Sequence, residues 1–163
     1  MKLIVVEDEK IIRTGLLKHV PWQRLGVSEV EAAANGEEAL AKTENFRPDI
    51  VLSDIRMPGM SGVDLCRKLR EKFPEIEIIF STGYADKEYL KAAIDLHAVG
   101  YVEKPVNVKL LSENVEEAVQ RVRERRKQKK RTRETSKLSF GGGYRCFTGT
   151  GGGSLFSHCH DPF

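Results

Sequence analysis

No stretch of the chain stays apolar long enough to cross a bilayer, and the N-terminus enters a strand pattern at once, so no secretory leader is expected. Cysteine is scarce. Cys66, Cys146 and Cys159 are an odd and sparse set, which predicts no disulfide framework and a reducing compartment. The expected location is therefore cytoplasmic, with no membrane partner. No Gly-Lys-Ser/Thr follows the glycine runs near the C-terminus, so they do not make a phosphate-binding loop. Cys146, His158, Cys159 and His160 have zinc-ligand chemistry without zinc-site spacing, since three consecutive residues do not converge on one tetrahedral ion without a turn. A broad excess of positive charge is also lacking. The formal net charge is +3, but residues 1–120 are mildly acidic and the excess sits in "RVRERRKQKKRTR" (Arg121–Arg133). Charge therefore gives no argument for nucleic-acid binding by the chain as a whole.

What is present suffices for one cored domain: 163 residues, 40% of them hydrophobic. "KLIVV" (Lys2–Val6) reads as a buried strand, and Ile11, Ile12, Leu16, Leu17 and Val20 follow at helical spacing up to Pro21. "VEAAA" (Val30–Ala34) is a weaker strand, "NGEEAL" opens a helix, and "DIVLS" (Asp49–Ser53) is a third strand. "GVDLCRKLREKF" predicts a helix that ends before Pro74, and "IEIIFS" (Ile76–Ser81) a fourth strand. A helix over about 86–96, the short strand "GYVE" and a last helix with Leu111, Val115, Ala118 and Val122 on one face complete the pattern. Strands and helices alternating this regularly predict an α/β fold, a doubly wound parallel sheet of five strands covered on both faces. It accounts for residues 1–124. Residues 125–137 read as a basic linker or helix extension, and 138–163 as a Gly-rich tail with no periodicity, expected not to order by itself.

One stretch stands out. In "DIVLSDIRMPGMSG" (Asp49–Gly62) a strongly apolar run ends in the single carboxylate Asp54, and a turn rich in Met, Pro and Gly follows at once. Such a group is either solvated punctuation or a chemical group held at the rim of a sheet. Doubly wound sheets bind ligands outside the carboxyl ends of their strands, where the strand order reverses. Those ends carry Glu7-Asp8-Glu9, Asp54, Ser81-Thr82-Gly83 and Glu103-Lys104-Pro105. Taken singly, each has a bland reading: a solvated helix N-terminus, a turn hydroxyl, a surface lysine. If the first and third strands are neighbours, carboxylates crowd one rim and repel one another, which a divalent cation relieves. All-oxygen ligands suit Mg²⁺. A hydroxyl and a lysine nearby complete a set able to hold a phosphoryl group.

In order and spacing, "VVEDE", "DIVLSDIRMPGMSG", "STGY" and "YVEKP" make residues 1–124 resemble the receiver domain of bacterial two-component response regulators. The resemblance implies a flavodoxin-like (βα)5 fold with strand order 2-1-3-4-5, and phosphorylation by a sensor histidine kinase in a Mg²⁺-dependent reaction. It implies that Asp54 is the phosphoacceptor, and that Glu7, Asp8, Asp54 and the Arg56 backbone carbonyl hold Mg²⁺. Thr82 would hydrogen-bond the phosphoryl group, Lys104 would pair with it, and Tyr101 would change rotamer together with Thr82. Lys104-Pro105 would be a cis bond, and a homodimer would form through the fourth helix, fifth strand and fifth helix. Arg56 and Tyr84, each two residues beyond a key position, are expected to overhang the line of water attack and to lengthen the phosphorylated lifetime.

Two departures from the family pattern matter. His97-Ala98 stands where the family usually has Gly-Ala, which costs about 1 kcal/mol if residue 97 is left-handed. No output domain is recognisable, although "PW" at 21–22, "GEEAL" and "TGYADKEYLKAAI" resemble the subgroup that controls AraC-type helix-turn-helix domains. Transcription regulation, and any contact with DNA, would therefore run through a domain that is missing here. Two other classes compete. An aspartyl-phosphate phosphatase of haloacid-dehalogenase type needs a second Asp two residues after the nucleophile, where Arg56 stands. A stand-alone nucleic-acid-binding protein would use Arg121–Arg133.

Overall fold

Ile50, Val51 and Leu52 are buried on both faces of a sheet, as their unbroken apolar run requires. The computed structural model describes residues 1–83 and 87–139, with the side chains of 87–90 and 135–139 left out. In chain order the elements are β1 (Lys2–Val6), α1 (Lys10–His19), β2 (Glu29–Ala33), α2 (Gly36–Phe46), β3 (Ile50–Asp54), α3 (Gly62–Lys72), β4 (Glu77–Thr82), α4 (Lys87–Asp95), β5 (Gly100–Glu103) and α5 (Val108–Ser139). All strand pairs are parallel and the order is β2-β1-β3-β4-β5. The expected α/β fold, a five-stranded flavodoxin-like (βα)5 sheet in the order 2-1-3-4-5, is what the chain adopts. Strand order reverses between β1 and β3, which opens the crevice at their carboxyl ends.

Alternation along each strand divides the core in two. Ile4, Val6, Val51, Ile78 and Phe80 pack with Leu65, Cys66 and Leu69 of α3. Leu3, Val5, Leu52, Ile79 and Val102 pack with Leu16 of α1 and with Leu111, Val115 and Ala118 of α5. Short polar residues start the helices: Ser61 Oγ accepts from Asp64 N at 3.1 Å, and Asn35 Oδ1 from Glu38 N at 2.8 Å. The observed β2, β3 and β4 are each offset by one residue from the sequence-based strands, since Ala34 N already donates to Glu38 at the mouth of α2, Asp54 still pairs with Ser81 and Thr82 with Glu103.

Met1–Lys129 form one compact unit. Within it the basic run is not simply solvated. Arg125 pairs with the buried Glu77, Arg126 with Asp49 at 2.6 Å, and Lys129 with Glu75 at 2.7 Å. Asp49, Glu75 and Glu77 sit at the amino ends of β3 and β4, so α5 is tied to the edge of the sheet opposite the carboxylate rim. Among the described residues no helix is long and apolar enough to cross a membrane.

The end of α4 shows what a missing glycine costs. His97 takes φ +49°, the left-handed conformation, while Ala98 N reaches back to Ala93 O at 2.9 Å. Arg70 Nη2 donates to Leu96 O at 2.8 Å and helps satisfy the helix end. His97→Gly is expected to raise the unfolding free energy by about 0.5–1 kcal/mol. The check is a urea midpoint that rises at unchanged slope. A midpoint that stays or falls would show that His97 side-chain contacts outweigh its backbone strain.

Candidate functional site

The register of the sheet builds the site. Val6 pairs with Ser53 and Asp54 with Ser81, so Glu7, the residue after β1, comes beside Asp54. Glu7 N extends the ladder to Ala33 O at 3.1 Å. By alternation, Glu7 shares a face with Leu3 and Val5, and Asp54 with Leu52, so both carboxylates end the row that packs on α1 and α5. Both are buried, with 1% and 4% of their surface exposed. Lys104 follows β5 at a cis peptide bond to Pro105, and its N–H donates to Thr82 O at 2.8 Å. Its Nζ lies 2.7 Å from Asp54 Oδ2 and 2.9 Å from Glu7 Oε1, with Glu9 Oε1 at 3.8 Å.

The turn after Asp54 is rich in small residues for a steric reason. Arg56 N donates to Asp54 Oδ1 at 3.2 Å, and Gly62 N returns to Ile55 O at 2.9 Å. A Cβ on Gly62 would stand 1.9 Å from the Asp54 carbonyl oxygen, so only glycine allows the loop to close on the strand end. Gly59, at φ +80°, makes the bend. On the other side, Arg13 Nη1 donates to Asp8 O at 3.1 Å and to Glu7 O, which fixes the acidic loop from below.

One oxygen from each of Glu7, Asp8 and Asp54 can lie within 4.8 Å of the others. Burial pushes the Glu7 carboxyl above its ordinary range, and the Asp54 charge adds to this, although Lys104 and the Glu9 N–H pull it back. Burial likewise pulls Lys104 down, but hydrogen bonds and charges from Asp54 and Glu7 outweigh it and hold the ammonium above its ordinary value. Glu7 Oε2 is buried with no hydrogen-bond partner. A crowded all-oxygen set with an orphaned buried carboxylate oxygen fits a small hard cation such as Mg²⁺.

The structure thus brings Glu7, Asp8, Asp54, Lys104 and the Arg56 backbone together. Thr82 is buried at the last position of β4, one residue beyond the pair formed by Asp54 and Ser81. Tyr101 is not turned into this cluster: it lies on β5 with 43% of its surface exposed. The Arg56 side chain is exposed at the rim, and Tyr84 lies outside the described residues. Sequence reasoning missed Arg13 and gave Ser81 no role. Arg13 acts on backbone carbonyls and Ser81 through strand register, and neither leaves a local signal in the sequence.

Residues 3–116 match the family model described as response regulator receiver domain. The chain is 40% identical over 124 residues to an uncharacterized response regulatory protein of Staphylococcus epidermidis, covering 76% of this chain and 49% of that one. It is 33% identical over 131 residues to the transcriptional regulatory protein YesN of Bacillus subtilis, covering 80% and 36%. The chain therefore spans half or less of the length of these relatives. Its fold is similar to a two-component transcriptional regulator AraC from Clostridium phytofermentans (TM-score 0.70, 31% identity, 78% of this chain and 98% of that one). It is also similar to the REC domain of AraT, a response regulator from Geobacillus stearothermophilus (TM-score 0.71, 33% identity, 77% and 97%).

The raised Glu7 pKa has a pH signature. Its contribution to stability is fully present below the unfolded value of 4.5 and is lost as pH rises through the higher folded value. In metal-free buffer, wild-type urea stability relative to Glu7→Gln is expected to fall as pH rises from 4.5 towards neutrality. Parallel pH profiles of the two proteins would remove Glu7 as the strained group.

Proposed function

The chain belongs to the response regulator receiver domain family of two-component systems, and on that premise we propose that it is switched by phosphorylation of Asp54 by a sensor histidine kinase. The observation that carries this reading is Lys104 Nζ held between Asp54 and Glu7 beside the acidic cluster. Asp54 attacks phosphorus as the carboxylate, the donor's bond to phosphorus breaks, and the donor leaves with that electron pair. Lys104, already at the attacking group, pairs with the incoming phosphoryl oxygens and offsets their charge. Thr82 offers its hydroxyl from the end of β4, and the Arg56 N–H keeps the Asp54 carboxylate in one orientation. Glu7, Asp8, Asp54 and the Arg56 carbonyl would hold Mg²⁺, which when bound neutralises charge on the transferred group.

The same reading makes Tyr101 the reporter of the switch, exposed in the resting chain and drawn in when Thr82 moves. Ala93, Ile94, His97, Tyr101 and Arg121 line a shallow hollow of about 420 Å³ on the α4-β5-α5 side, a surface suited to a second copy. On this reading the exposed Arg56 side chain, with Tyr84 as its companion, would restrict water at the phosphoryl group. The relatives of greater length include YesN, which carries a transcriptional name, and this supports regulation of transcription through an output domain beyond the receiver.

Asp54→Asn is expected to abolish phosphoryl uptake from a small acyl phosphate with the fold retained. Hydroxylamine-insensitive label persisting in the variant would place the phosphoryl group elsewhere. Asp8→Asn is expected to weaken Mg²⁺ binding about tenfold or more, or about 1.4 kcal/mol. Wild-type affinity in a metal titration of that variant would overturn its place in the ligand set.

A further inference from the structure

Ser81 is the one position in the row of the site whose chemistry has no use so far. It is buried, with 2% of its surface exposed, and its Oγ has no hydrogen-bond partner. Buried hydroxyls are ordinarily bonded, so an orphan needs a reason. Ser81 is the β4 partner of Asp54 in register, hence on the same face and about 4.8 Å away across the sheet. Its other neighbours on that face, Ile79 and Val102, offer no polar group.

At rest the Ser81 hydroxyl bonds neither Asp54 oxygen. Oδ1 already accepts from Arg56 N at 3.2 Å and Oδ2 from Lys104 at 2.7 Å. Phosphorylation changes that arrangement. One Asp54 oxygen forms the bond to phosphorus, and Lys104 is drawn towards the more highly charged phosphoryl oxygens. The remaining acyl oxygen is then left beside a hydroxyl that rotates freely to suit an acceptor.

We propose that Ser81 is a further residue of the phosphoryl site, donating its hydroxyl hydrogen to the acyl oxygen of phosphorylated Asp54 and hastening loss of the phosphoryl group. The proposal rests on the phosphoacceptor reading above. When water attacks phosphorus, the bond from phosphorus to Asp54 breaks and its electron pair returns to the carboxylate, while phosphate departs with the water oxygen. Negative charge therefore grows on the Asp54 oxygens as that bond breaks. A donor aimed there stabilises the transition state more than the neutral acyl group, and that difference sets the rate.

The test is Ser81→Ala, which removes the hydroxyl and leaves the fold's apolar row intact. Wild-type and variant chains are labelled with a small acyl phosphate in excess Mg²⁺, freed of donor, and followed for phosphate release. The variant is expected to hold its label about three- to tenfold longer. Its thermal midpoint without Mg²⁺ is expected to equal or exceed that of wild type, because no resting hydrogen bond is lost. Equal or faster release from the variant overturns the role of Ser81 while Asp54 phosphorylation stands. A lower midpoint overturns it too, by showing that the hydroxyl is already bonded at rest. Wild type that takes no label at Asp54 overturns the phosphoacceptor reading, and this proposal with it.

Discussion

Two carboxylates side by side at the ends of neighbouring buried strands repel one another, and in this chain Lys104 stands between them. The rest of the site follows from that constraint. The strand order brings Glu7 next to Asp54, and β5, two strands further along the sheet, ends in the residue that answers their charge. The loop after Asp54 closes tightly enough to spend its backbone N–H on the same carboxylate, and Gly62 permits that closure. Ionic attraction in such a place is offset by the desolvation of each group, so the cluster adds little to stability. It stores charge in a fixed arrangement.

Much of this was legible from the residues. Unbroken apolar runs named the buried strands, helical spacing named the faces, and Asp54 drew notice because a lone carboxylate ended the most apolar run of all. The strand ends could be written down in advance because doubly wound sheets put their chemistry there. What stayed hidden depended on register. Nothing local to Ser81 says that it stands opposite Asp54, since that follows only once β3 and β4 are aligned residue by residue. Arg13 was invisible for a similar reason, because its acceptors are backbone carbonyls, which carry no sequence signature.

The basic run is the clearest case of a local reading giving way to a distant one. As sequence it reads as a basic linker or helix extension. In the fold, Arg125 and Arg126 meet acids 48 and 77 positions away, both at the amino ends of central strands. A periodicity argument sees only neighbours three or four residues apart, such as the pair of Arg121 with Glu117. The run therefore has its first claim on the chain's own carboxylates, which weakens the case that it exists for nucleic acid.

Among the described residues, ion pairs at opposite edges of the sheet differ in access to water. Arg126 with Asp49 and Lys129 with Glu75 have solvent-facing partners, whereas Lys104 with Asp54 and Glu7 is largely enclosed. Mobile ions reach the first set and not the second, and the Debye length shrinks from about 8 Å at physiological ionic strength to about 3 Å in molar salt. Concentrated salt therefore weakens these two pairs, while Arg125 on the buried Glu77 and the charge arrangement at the carboxylate rim persist. Ionic strength separates, in one small protein, the outer fastenings of α5 from the charges at its centre.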